Sequence, residues 1–67
     1  MAKYIGSWNI NNGEILRWNY KSNNKRQLSN HMRCICKNTM KKGDLGYWEV
    51  LLNNGYSDLV ISGTVKK

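Results

Sequence analysis

The chain has 67 residues, enough for one small domain and no more. A chain this short buries only about 60% of the surface it exposes when unfolded, which leaves room for one sheet and one helix but not for a deep substrate cavity. Eleven lysines and arginines against four acids give a formal net charge of +7, a positive field whose usual partners are nucleic acid, anionic lipid or an acidic protein face.

The first segment alternates. Tyr4, Gly6, Trp8 and Ile10 share one face, and Ile5, Ser7 and Asn9 the other, the period of a half-buried strand. Asn11-Asn12-Gly13 supplies turn residues that tolerate positive φ. A second strand carries Glu14, Leu16, Trp18 and Tyr20 on one face. A three-residue loop with Gly13 left-handed pairs Trp8 with Leu16, Gly6 with Trp18 and Tyr4 with Tyr20. That register gathers the aromatics on one face and lays Trp18 across the bare backbone of Gly6.

Asn24 is the expected N-cap, with Gln27 as its capping-box partner, of a helix over residues 25–41 that Gly43 ends. Leu28, Met32, Ile35 and Thr39 form its apolar stripe, with His31 and Cys36 at the flanks. A third strand opens near Gly46, with Trp48, Val50 and Leu52 pointing one way and Tyr47, Glu49 and Leu51 the other. A two-residue Asn54-Gly55 turn then pairs Val50 with Leu59 and Trp48 with Ile61. Strands at residues 3–10, 14–20, 46–52 and 58–65 around one helix predict an α+β fold. Its plan is ββαββ, a four-stranded antiparallel sheet with one helix packed on one face. Trp18, Ile35 and Ile61 are expected to be buried together.

The far side of that helix carries the functional expectation. Arg26, Asn30, Arg33, Lys37 and Lys41 recur at spacings of four, three, four and four, within an arc of about 80° opposite the apolar stripe. No acid occurs from Ile15 to Gly43, so the helix has no internal ion pairs. Lys25 and Arg26 stand in its first turn, where the helix dipole disfavours cations. A rule broken against stability points to use of that face; the plain alternative is a solvated polar surface. With Arg17 and Lys25 added, the set would hold phosphates, and Arg26, Asn30 and Arg33 are the candidates for base edges. No helix-turn-helix or ribonucleoprotein motif accompanies it.

A protein partner is the alternative. On the reverse face of the sheet, Ile5, Tyr47, Leu51 and Val60 are expected to form an exposed apolar patch. Ten asparagines and many lysines, all with AT-rich codons, add a compositional hint of a phage or mobile element. In size, composition and strand-helix-strand plan the chain resembles phage accessory proteins, anti-CRISPR proteins among them. That resemblance implies an inhibitor that occupies the surface of a host nucleic-acid machine in the host cytoplasm.

Other classes find little support. No stretch approaches the roughly 20 apolar residues of a membrane span, and residues 1–10 lack the apolar run of a secretory signal. Cys34 and Cys36 diverge by about 200° on a helix, so they do not readily bridge, and so few cysteines fit a reducing cytoplasm. His31, Cys34 and Cys36 spell His-x-x-Cys-x-Cys, but a structural zinc site needs four ligands in a tetrahedron. His31 is the single histidine, and Glu14, Asp44, Glu49 and Asp58 are scattered. No catalytic site, metal or cofactor is expected.

Overall fold

The computed structural model describes residues 2–11, 13 and 20–67. The elements are β1 (Tyr4–Ile10), β2 (Lys21–Ser22), α1 (Lys25–Thr39), β3 (Leu45–Leu52) and β4 (Leu59–Lys66). They make one antiparallel sheet of order β2-β1-β3-β4, with α1 across one face. This is the ββαββ, α+β architecture the periodicities predict. The central pair β1 and β3 comes from opposite sides of the helix in sequence, and β4 is an edge strand of eight residues.

Both ends of α1 have a local cause. The Asn24 side chain accepts a hydrogen bond from the Gln27 N–H at 3.1 Å, which satisfies one of the orphan donors of the first turn. The reciprocal half of the expected capping box is replaced: the Asn24 N–H donates to Ser22 Oγ at 3.0 Å. The helix stops at Thr39, short of the expected residue 41, because Met40 turns to extended backbone and drives its side chain into the core. Asp44 then accepts the Lys41 N–H at 2.8 Å, and Gly43, at φ +92°, completes the turn.

Both hairpin registers differ from the expected ones by two residues. Tyr4 faces Ser22 in place of Tyr20, and the Gly6 N–H donates to the Tyr20 carbonyl at 2.7 Å. The expected partners Leu16 and Trp18 lie outside the described residues. Trp48 faces Gly63, and Val50 faces Ile61, with a bulge after Val50 that brings Leu51 opposite Leu59. The cause is the loop. Asn54 accepts from the N–H groups of Tyr56 and Ser57, and both Gly55 and Ser57 take positive φ. The connection thus runs from 53 to 58, closed by the Leu52 N–H on the Asp58 carbonyl. The even shift keeps Trp48, Val50, Ile61 and Gly63 on their expected face, whereas the bulge beyond Val50 moves the register by one more residue and inverts Leu59 and Val60.

Among the described residues the core is turned from the expected one. Leu28, Met32, Cys36 and Met40 pack on Trp8, Trp48 and Val50. Two glycines seat the helix. A Cβ at Gly6 would stand 2.5 Å from Met32 Sδ, and one at Gly46 would stand 2.5 Å from Cys36 Sγ. These close approaches draw Cys36 inward from the flank and leave Ile35 half-buried and Thr39 exposed. Relative to the expected stripe, the buried arc is rotated by roughly 40°, counting 100° per residue. Leu59 and Ile61, expected inside, are 58% and 43% exposed. Trp18 lies outside the described residues.

Candidate nucleic-acid interface

The roll of α1 decides where its cations go. They do not crown the back of the helix; they line its flank toward β4. Lys25, Arg26, Asn30 and Arg33 form one wall of a cleft of about 510 Å³ whose sheet side is Trp48, Val60 and Ile61. Further along, Asn30, Arg33 and Lys37 face Thr64, Val65 and Lys66 across a second, shallower hollow of about 810 Å³. Asn30 and Arg33 belong to both, so the two hollows make one trough along the helix. From Arg26 to Lys37 it runs about 16 Å at the helical rise.

Lys25, Arg26, Asn30, Arg33 and Lys37 are all exposed. Among the described residues their walls carry no acid, and neither α1 nor β4 contains one. The acids that are described are turned elsewhere. Glu49 lies on the reverse face, where it accepts from Ser7 Oγ at 2.8 Å and from the Tyr47 hydroxyl at 3.4 Å. Asp58 takes the Asn54 amide at 3.2 Å. The Lys41 N–H and the Asn11 side-chain amide hold the Asp44 carboxyl below the usual carboxylate range. Every one of these donors is neutral, so the described acids consume none of the cations of the trough. At its far end, Lys67 Nζ donates to the Lys37 carbonyl at 3.1 Å, which ties the C-terminal lysines to the end of the helix.

The structure therefore gathers Lys25, Arg26, Asn30, Arg33 and Lys37 in one place. Lys41 is exposed but lies past the helix end and lines neither hollow. Arg17 lies outside the described residues. On the opposite wall, Thr64 and Val65 join Ile61, which the alternation of β4 predicts in the core, and Val60, which it predicts on the reverse face.

The expected apolar patch on the reverse face does not exist as a patch. Leu51 is 4% exposed, and Ile5 and Tyr47 are half-buried. Ser7 and Asn9 beside them are buried too. Val60 packs against the core on the helix side, carried there by the bulge. That face is closed and partly polar.

The cysteines divide sharply. Burial pushes the Cys36 thiol up, against a smaller lowering by the Tyr47 backbone, and its Sγ donates to the Asn9 carbonyl at 3.7 Å. Cys34 is exposed. His31 sits on the opposite flank of α1, edge-on to Tyr20 with ring centroids 5.6 Å apart. Among the described residues, no three His, Cys, Asp or Glu side chains converge as metal ligands. No described helix is long and apolar enough to cross a membrane. No protein-family model, curated protein or solved structure matches the chain.

Proposed function

We propose that this chain is a nucleic-acid-binding module, working in the cytoplasm by binding and not by catalysis, without a cofactor. The observation that carries the reading is the trough, free of acids among the described residues, in which Lys25, Arg26, Arg33 and Lys37 stand exposed on one helix flank, opposite Lys66. Phosphates fit such a wall, and their counterions would be released on binding. Asn30, at the middle of the trough, supplies an amide that both donates and accepts.

The test is a mobility-shift titration at two salt concentrations. Four or five phosphate contacts predict an affinity that falls steeply between about 50 and 200 mM salt. Absence of binding at the lower salt would sink the reading.

A second reading has its own support. Tyr56, Leu59 and Ile61, on the β3–β4 hairpin, are 85%, 58% and 43% exposed. Apolar side chains exposed beside a basic wall fit an acidic protein surface as well. That is the anti-CRISPR-like inhibitor of a host nucleic-acid machine, of phage or mobile-element origin. Pull-down of a nucleic-acid enzyme that survives nuclease treatment would favour it.

A further inference from the structure

We infer that the nucleic acid is single-stranded and lies lengthwise in the trough between α1 and β4; this rests on the nucleic-acid reading above. The argument begins with width. The major groove of a duplex is about 12 Å wide and admits one helix of about 10–12 Å. The cationic flank of α1 faces β4, and Thr64, Val65 and Lys66 stand across the hollow from Arg33 and Lys37. To offer those cations to a major groove, the helix would have to bring the strand in with it. Two packed elements, with axes about 10 Å apart, exceed the opening.

A single strand meets no such obstacle, because it enters a concave site. The floor also favours it. Ile61 is 43% exposed in the trough, next to Val60 and the edge of Trp48. Phosphates make no use of apolar floor, whereas unstacked bases do, and a duplex keeps its base faces inside the stack. The third feature is the edge of the sheet. Among the described strands β4 pairs with β3 alone, so its outer side offers backbone donors and acceptors to base edges. A backbone edge of this kind, with one amide at Asn30, binds with little preference for sequence. A second copy of this chain is a poor occupant, since it would bring another +7 body against the same cationic wall.

The experiment is fluorescence anisotropy with a labelled oligothymidylate and with a mixed-sequence duplex of equal length, at about 50 mM salt. The single strand is expected to bind on the order of tenfold more tightly, about 1.4 kcal/mol. Ile61→Asn should weaken the single strand several-fold and leave the duplex unchanged, while Arg33→Glu with Lys37→Glu weakens both. Amide chemical-shift mapping on the wild-type protein gives a readout independent of any variant. Shifts on adding the single strand should fall on Arg33, Thr64 and Val65. Equal or tighter duplex binding, or shifts confined to other surfaces, overturns this inference and leaves the nucleic-acid reading standing. Binding of neither oligonucleotide removes both, and an acidic extended peptide becomes the occupant to test.

Discussion

The indole of Trp48 covers the backbone of Gly63 on the neighbouring strand: a Cβ at position 63 would stand 2.6 Å from its Cζ2 and 2.9 Å from its Nε1. The pair sets both the thickness of the core and the floor of the trough. Gly63→Ala forces a rigid ring to move, and overpacking of this kind costs about 1–3 kcal/mol. Urea unfolding followed by tryptophan fluorescence should show a lower midpoint with an unchanged slope. At Gly6 the obstacle is the flexible Met32 side chain, so Gly6→Ala should cost less than Gly63→Ala.

The roll of the helix can be read from two truncations. Met32 is fully buried, and Met32→Ala should cost on the order of 2–5 kcal/mol. Ile35 is only half-buried and should cost clearly less. The reverse order in thermal melts would place the apolar stripe on Leu28, Ile35 and Thr39 after all.

Charge reversal separates binding from folding. Arg33 and Lys37 are exposed, so Arg33→Glu with Lys37→Glu should leave the melting temperature within a few degrees of wild type. Binding to single-stranded nucleic acid should fall steeply. The slope of log affinity against log salt should shrink by about 0.7 for each lost contact. An unchanged slope would mean that the phosphates lie elsewhere.

Asp44 gives the acid limb of stability. Its carboxyl is held low by the Lys41 N–H and the Asn11 amide. A depressed folded-state value contributes stability that is fully present above the unfolded carboxylate value of about 3.9 and is lost as pH falls through the folded value. Asp44→Asn should therefore be less stable near neutrality and should converge with wild type in strong acid. Parallel curves of unfolding midpoint against pH would remove the carboxylate from this turn.

The thiols should react in two phases. Cys34 is exposed, and Cys36 is buried with its thiol pushed up. The thiolate is the nucleophile, so a thiol reagent should label one cysteine in the native protein and the second only at the rate of unfolding. Peptide mapping that finds Cys36 labelled first would contradict the packing of α1 on Gly46.

The plan of the fold was legible because period and punctuation agree. Alternation through Trp8 and Trp48, the Asn24 cap and the Asn53-Asn54-Gly55 turn place β1, α1, β3 and β4 within two residues, while most of the expected second strand lies outside the described residues. The second hairpin's register was not legible, because it rests on side-chain hydrogen bonds inside a loop. The Asn54 side chain lengthens the second turn, and nothing in its neighbours announces this. The cations of the site were legible as a helical row, but their direction was not. It depends on Gly6 and Gly46, which lie far apart in sequence and act together only once β1 and β3 are neighbours. A glycine on the inward face of a strand marks a close approach, and weighing it would have moved Cys36 into the core and turned Arg33 toward β4.

The neighbouring of β1 and β3 also orders events in time. Ser7 meets Glu49 across 42 residues of chain. At ribosomal rates of about 5–20 residues per second, β1 waits roughly two to eight seconds for its partner to be made. Throughout that interval Trp8 has no Trp48 to face and α1 has only half a sheet to rest on. Pairing this remote is also slow once both strands exist. The nascent chain is thus an uncovered, strongly cationic polymer until β3 is made, and the trough forms only after β4 has followed it.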